Sequence, residues 1–107
     1  MEVKQYEIYW VNLDPTIGRE MKRTRPCIIL SPDEMNDNIG TVIIAPLTST
    51  LNQYPSRVSC KIAGKAGMIV LDQMKTIDKK RLQKKIGAVH KDVILQVKQV
   101  INEMLVK

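Results

Sequence analysis

Hydrophobic positions follow a period of two through most of the chain and a helical period at its end. Strands are predicted where short runs alternate or are apolar on both faces: Gln5 to Leu13, Cys27 to Leu30, Thr41 to Leu47, Arg57 to Ile62 and Met68 to Leu71, with a last short strand from Ile86 to Val89. From Asp92 onward apolar residues recur every three or four positions, which predicts an amphipathic helix. The order of elements predicts a mainly β fold with a C-terminal helix, in which the strands form a small antiparallel barrel or curled sheet.

The polar connections between these runs are interpreted from their turn residues. The acidic stretch from Asp33 to Asn38 lacks the ligand spacing of a calcium loop and is expected to be a turn. The segment AGKAG after Ile62 is typical of a tight hairpin, and the basic segment from Asp78 to Lys85 has the charge order of a short helix or basic turn.

A length of 107 residues is that of one domain, so residues 1–107 are expected to form a single unit. With 44% hydrophobic and 26% charged residues, the composition is that of a soluble globular protein. No apolar run is long enough to span a membrane, and the N-terminus lacks the pattern of a signal peptide. We therefore expect a cytoplasmic protein without a membrane partner.

Cysteine and histidine usage bears on metal chemistry. Cys27 and Cys60 both lie in apolar runs, and small buried thiols are the favoured interpretation over a disulfide or a metal pair. With one histidine, His90, and no CxxC spacing, the chain offers no credible zinc site. We expect neither a metal nor another cofactor.

The net charge of +6 is unevenly distributed. Residues 1–54 contain 5 Lys/Arg and 7 Asp/Glu, net −2, whereas residues 55–107 contain 12 and 4, net +8. A basic surface of this kind favours nucleic acid or another polyanion as a partner.

The stretch from Asp14 to Arg25, DPTIGREMKRTR, is the strongest functional candidate from pattern alone. It connects the first two predicted strands and is rich in cations: Arg19, Lys22, Arg23 and Arg25. A long, charged loop held between two strands is more often functional than merely connective.

Four segments together carry a resemblance to a known family. They are WVNLDPTIGREMKRTRPCIILSP (10–32), IIAPLTS (43–49), YPSRV (54–58) and GMIVLDQMKTID (67–78). In this order they resemble the signatures of the MazF/PemK family, the endoribonuclease toxins of bacterial toxin-antitoxin pairs. The resemblance implies an SH3-like antiparallel barrel with a C-terminal helix, assembled as a homodimer. It also implies cleavage of single-stranded RNA at a short sequence without a metal, leaving a 2',3'-cyclic phosphate and a 5'-hydroxyl, and inhibition by a cognate antitoxin.

The resemblance also assigns site residues. By motif, Arg25 of Arg-Pro is the catalytic arginine, Thr48 of Leu-Thr-Ser is the catalytic threonine, and Glu20 lines the active site. RNA contacts are expected from residues of the same motifs: Arg19, Lys22, Arg23, Ser49, Gln73 and Lys75.

Elementary chemistry supports these roles. Attack by a ribose 2'-hydroxyl needs a proton acceptor, a proton donor for the leaving oxygen and donors for the phosphoryl oxygens. One histidine per chain excludes a two-histidine pair within a protomer. Because the pKa of arginine lies above about 12, it is an implausible free base, and we expect Arg25 to act as acid and phosphate stabiliser and Glu20 as the better proton acceptor.

Two questions stay open at the level of sequence. One branch of the family has His in place of Arg19 and an Arg near Val70, and because this chain has neither, Asp72 is as compatible with a structural as with a catalytic role. The alternative function is a non-enzymatic gyrase poison like the CcdB family, which shares the architecture. This chain ends in NEMLVK and lacks the C-terminal Trp on which CcdB-like action relies.

Overall fold

A computed structural model describes residues 2–13 and 24–106 of the chain. Within these ranges there are seven strands: β1 Glu7–Asn12, β2 Thr24–Ile29, β3 Thr41–Thr48, β4 Arg57–Ile62, β5 Lys65–Val70, β6 Lys75–Asp78 and β7 Leu82–Ala88. Two α-helices accompany them, α1 Asp33–Asn38 and α2 Lys91–Ile101, and α2 continues as a π-helical turn, Asn102–Val106. Short 3-10 turns, Leu71–Gln73 and Lys79–Arg81, flank β6.

The strands form one antiparallel, curled sheet in the order β4-β5-β3-β2-β1-β7, with β6 also paired to β3. The curl comes from β3, whose two ends have different partners. Its first half pairs with β6, from Thr41 opposite Asp78, whereas its end pairs with β5, with Thr48 opposite Met68. The end of β3 is therefore surrounded by β2 on one side and β5 on the other.

Both faces of the central strands are buried, in two hydrophobic clusters. One contains Ile8, Ile28 and Ala45 and is covered by α2, whose Val97 is fully buried. The other contains Tyr9, Cys27, Ile44 and their neighbours. Successive residues of a strand point to opposite faces, so these strands supply apolar side chains to both clusters.

The mainly β fold with a curled antiparallel sheet and a C-terminal helix, predicted from the sequence, is confirmed. The helix begins after His90, whose Nδ1 accepts a hydrogen bond from the backbone N–H of Asp92 at 3.3 Å.

The structure differs from the sequence prediction at the acidic stretch, which forms the short helix α1 rather than a turn. The cause is a buried side chain, Asn36, which donates hydrogen bonds to the carbonyl oxygens of Ser31 at 3.0 Å and Val3 at 3.3 Å. The hydroxyl of Ser31 in turn donates to Asn36 Oδ1 at 2.6 Å. Because one of these partners lies 33 residues away, local turn propensity did not reveal the helix.

The basic segment also differs from its prediction. Instead of a single short helix or turn it contains the end of β6, one 3-10 turn and the start of β7. Asp78 does begin the helical turn, since its carboxylate accepts the backbone N–H of Lys80 at 2.8 Å.

No helix in residues 2–13 or 24–106 has the length and apolar character required to cross a lipid bilayer.

Candidate active site

The pairing of β2 and β3 brings the two principal site candidates together. Cys27 lies opposite Pro46 in this antiparallel pair, and the same register continued by two residues places Arg25 opposite Thr48. Directly opposed residues of an antiparallel pair project to the same face. The register therefore explains why an Arg-Pro and a Leu-Thr-Ser motif, 23 residues apart in sequence, contribute to one site.

Two adjacent grooves meet at these residues. The first groove, of about 550 Å³, is lined by residues that include Trp10, Arg25, Thr48, Ser49 and Lys65. The second groove, of about 420 Å³, is lined by Leu13, Arg25, Pro46, Leu47, Thr48, Thr50, Arg57, Val70 and Gln73. Arg25 and Thr48 line both. A ligand that extends from one groove into the other would pass over Arg25, which is exposed, and Thr48, which is half-buried.

The hydroxyl of Thr48 is oriented by its own loop. Its Oγ1 accepts a hydrogen bond from the backbone N–H of Thr50 at 3.2 Å. An acceptor interaction of this kind leaves the hydroxyl proton available to a ligand.

Gly67 packs closely against the backbone of Thr48. A Cβ at Gly67 would lie 3.2 Å from the carbonyl oxygen of Thr48, closer than ordinary van der Waals contact. The absence of a side chain at this position lets β5 approach the end of β3.

The structure brings some of the other predicted site residues into this region and not others. Ser49 lines the first groove and Gln73 the second. Lys75 lies outside the lining of both grooves, at the start of β6 opposite Ile44. Its charge, like that of Arg25, lowers the pKa of the buried Cys27 thiol. Burial outweighs both charges and raises the pKa of that thiol to about 12.

The remaining predicted site residues, Arg19, Glu20, Lys22 and Arg23, lie outside the described residues.

Arg57 is a groove residue that sequence reasoning missed. It begins β4 and lines the second groove with Arg25, Thr48 and Gln73. The motif YPSRV contained it, but a single arginine next to a strand gives no local sign of which residues it faces. Lys65 and Trp10 also line the first groove. With 40% of its surface exposed, Trp10 is not part of the core of this chain.

Asp72 does not line either groove in the described part of the chain. Its Oδ1 accepts a hydrogen bond from the Ser56 hydroxyl at 2.9 Å and lies 3.6 Å from Nε of Arg57. The carboxylate thus contacts residues that border the site rather than the space between Arg25 and Thr48.

Comparison with known proteins connects this arrangement to a family. The model of the PemK-like, MazF-like toxins of type II toxin-antitoxin systems matches residues 4–105. The chain belongs to this family. The match spans all four motifs and the elements that carry both grooves.

Individual members of the PemK-like, MazF-like family resemble the chain along nearly its full length. The endoribonuclease toxin MazF of Escherichia coli K12 is 31% identical over 100 residues, which are 92% of this chain and 90% of that protein. The crystal structure of MazF from Deinococcus radiodurans superposes with a TM-score of 0.82 at 25% identity, covering 100% of this chain and 99% of that one. A mycobacterial endoribonuclease in complex with its cognate antitoxin has the same fold, with a TM-score of 0.80 at 20% identity over 96% and 94% of the two chains. The small barrel type implied by the sequence motifs is thereby confirmed.

Proposed function

We propose that this protein is an endoribonuclease toxin that cleaves single-stranded RNA at a short recognition sequence, without a metal and independently of the ribosome. The observation that carries the proposal is the place of Arg25 and Thr48, which line both grooves at the point where these meet. Membership of the toxin family and the likeness to a protein named an endoribonuclease toxin support the RNA-cleaving reaction.

The proposed reaction is an internal transesterification. The 2'-hydroxyl loses its proton and attacks the adjacent phosphorus, the bond from phosphorus to the 5'-oxygen breaks, and the leaving oxygen takes up a proton. The products are a 2',3'-cyclic phosphate and a 5'-hydroxyl. The transition state concentrates charge on the phosphoryl oxygens, so donors held in place before the reaction lower its barrier.

Arg25 and Thr48 are suited to the charged part of this reaction. A guanidinium presents several N–H donors in a plane that matches phosphate oxygens. The Thr48 hydroxyl supplies a further donor because its oxygen already accepts from Thr50. In this scheme Arg25 also protonates the leaving oxygen and is reprotonated from water, while Glu20 returns the proton it accepted to water, and Thr48 holds a phosphoryl oxygen.

Glu20 is proposed as the acceptor of the 2'-hydroxyl proton. A carboxylate can accept the proton that arginine cannot. Glu20→Gln keeps the shape of the side chain and removes the basic oxygen, so cleavage should fall by about 10²-fold or more. A Glu20→Gln variant that cuts at the wild-type rate would remove Glu20 from this role.

RNA contacts outside the reacting phosphate are proposed for Arg19, Lys22, Arg23, Ser49, Gln73 and Lys75. The places of Ser49 and Gln73 on the two grooves support them. For Lys75, which is outside the lining of both grooves, the support is its motif and its positive charge.

A homodimer and a cognate antitoxin complete the proposal. Large apolar side chains at the end of the chain, such as Leu105 at 64% and Val106 at 70% exposure, support an oligomer, because such groups are often covered by a partner. The description of the family as toxins of toxin-antitoxin systems supports an inhibitor protein. The +8 charge of residues 55–107 would attract an acidic, disordered inhibitor segment. An antitoxin complex whose affinity did not change with salt would contradict this electrostatic account.

The test of the main proposal is cleavage of a long single-stranded RNA in excess EDTA, with the ends mapped. Wild-type protein should cut at one recurring short sequence and leave cyclic-phosphate ends, and Arg25→Ala should not cut. Lys61→Ala, which removes an exposed cation from β4 outside both grooves, is the matched control and should cut normally. No cleavage by folded wild-type protein would overturn the proposal in favour of a protein-poisoning toxin, for which inhibition of gyrase is the assay.

A further inference from the structure

Arg57 is the cation of the second groove that the proposed reaction does not use. It stands at the first position of β4, opposite Val70 of β5, and shares the second groove with Arg25, Thr48 and Gln73. Because this arginine shares a groove with two residues proposed to bind phosphate, we ask whether it also binds a ligand or has a purely structural role.

Neighbouring side chains hold the guanidinium from two sides. Its Nε lies 3.6 Å from Oδ1 of Asp72, which is itself held by the Ser56 hydroxyl at 2.9 Å. Its Cζ lies 4.7 Å from the centroid of the Tyr54 ring, within the range of a cation–π contact. The backbone N–H of Arg57 donates to the Tyr54 carbonyl at 3.0 Å, which holds the main chain of the two residues together. Ordering a long side chain in advance lowers the entropy lost when a ligand binds.

These contacts leave hydrogen-bonding capacity unused. Nε of Arg57 is buried and has no hydrogen-bond partner among the described residues, because 3.6 Å to Asp72 is too long for a hydrogen bond. The side chain is only 17% exposed, so water replaces few of the missing bonds. Nε is enclosed and faces Asp72, which is 40% exposed and supplies charge but no direct hydrogen bond to it. A ligand in the second groove would therefore meet the terminal N–H groups of the guanidinium, since Arg57 is part of the lining of that groove.

We propose that Arg57 binds an RNA backbone phosphate next to the one held by Arg25 and Thr48, and that Asp72 and Tyr54 position it. The inference rests on the proposed function, since it takes RNA as the occupant of the grooves. A planar fork of N–H donors fits the oxygens of a phosphate better than the single donors of neighbouring residues do. Asp72 is then a positioning residue that acts through Arg57.

The test measures binding of a short RNA that contains the mapped cleavage sequence and a 2'-deoxy sugar at the cut, so that it cannot react. Arg57→Ala should weaken binding by about tenfold and reduce the slope of log K against log salt by about 0.7, the value for one phosphate contact on a single strand. Arg57→Lys, which keeps the charge but not the fork, should retain the slope and regain part of the affinity. Lys61→Ala, on the same strand but outside the grooves, is the matched control.

Neutral methylphosphonate linkages, introduced one at a time into the same RNA, identify the phosphate. With wild-type protein, neutralising one linkage adjacent to the scissile phosphate should weaken binding by about tenfold. The same neutral linkage should not weaken RNA binding by Arg57→Ala any further, because the side chain that contacts this phosphate is already absent. Asp72→Asn should reduce the effect of this linkage without abolishing it.

Several outcomes would overturn the inference. Equal effects of the neutral linkage on wild type and Arg57→Ala would reduce Arg57 to a structural ion pair with Asp72. If Arg57→Ala does not fold, the methylphosphonate series is measured with wild-type protein alone. The inference is then contradicted when none of the linkages beside the scissile phosphate affects binding. Cleavage that depends on Arg25 but is unaffected in every respect by Arg57→Ala would refute this inference and leave the proposed function intact, whereas wild-type protein that neither cuts nor binds RNA would refute both.

Discussion

The register of β2 and β3, continued two residues beyond Cys27 and Pro46, places Arg25 opposite Thr48, and both residues line both grooves. Two groups that hold the same phosphate should not contribute independently to catalysis. Arg25→Ala should lower the cleavage rate by about 10³-fold and Thr48→Val, which replaces only the hydroxyl, by about 10²-fold.

The double variant should lose little more than Arg25→Ala alone. Single-turnover rates on one RNA substrate measure all three variants, and unchanged melting temperatures confirm that each is folded. Strictly multiplicative losses would indicate that the two side chains act on different phosphates or in different steps.

Glu7 predicts a pH dependence of stability. Burial alone would raise the pKa of Glu7, but hydrogen bonds from Lys85, the Lys4 backbone and the Tyr9 hydroxyl outweigh burial and lower it. A carboxylate whose folded pKa is lowered stabilises the fold above its unfolded pKa and loses this contribution as the pH falls through the folded value. Glu7→Gln should therefore cost about 1 to 3 kcal/mol in unfolding free energy at pH 7 and progressively less as the pH falls below about 4.5.

Urea unfolding at several pH values and one protein concentration measures this difference. Glu2→Gln is the control, since Glu2 is exposed and its ion pair with Lys4 lies in solvent. A cost of Glu7→Gln that stays constant from pH 7 to pH 3 would contradict the assignment.

The two thiols should be unreactive in the folded protein. Burial raises the pKa of Cys27 to about 12 and that of Cys60 to about 11. Because only the thiolate reacts, modification by a disulfide reagent at pH 8 should be slower than in denatured protein by about 10²-fold at Cys60 and about 10³-fold at Cys27.

Cys27→Ala and Cys60→Ala assign the two phases of this reaction. The rate of native protein is compared with that of protein in denaturant. A native thiol that reacts as fast as in the denatured chain would show that it is open to solvent, and the order Cys27 before Cys60 would contradict their relative burial.

In the hairpin between β4 and β5, substitutions at two neighbouring positions should affect stability in opposite directions. Ala63 has φ 50° and Gly64 φ 81°, a two-residue turn that favours residues tolerant of positive φ. Ala63→Gly should be neutral or stabilising, since relief of about 1 kcal/mol of strain opposes the extra chain entropy of glycine. Gly64→Ala should destabilise by about 1 kcal/mol, although an added Cβ meets no atom within 4 Å.

Gly40→Ala is the control for this pair. Its Cβ would also meet nothing within 4 Å and its φ is not in the left-handed region, so the substitution should be neutral or slightly stabilising. Chemical denaturation of the three variants measures the differences. Equal effects of Gly64→Ala and Gly40→Ala would exclude backbone strain as the cause.

The sequence by itself determined much of the fold and predicted the two residues on which the site proposal rests. Period-two alternation located β1 and β4 closely, and β4 was predicted at its observed bounds, because strand side chains must alternate between core and surface. Arg25 and Thr48 were found because their motifs are short, contiguous and chemically distinctive.

Only the tertiary structure decided which residues meet. Helix α1 depends on hydrogen bonds of Asn36 to Val3, and the second groove depends on Arg57 lying across the sheet from Arg25. Lys75, predicted from its motif to contact RNA, is outside the lining of both grooves and lies opposite Ile44. The physical reason is the same in each case: a local pattern specifies which side of an element is buried, whereas the partners across space follow from strand register and from the different pairing of the two ends of β3.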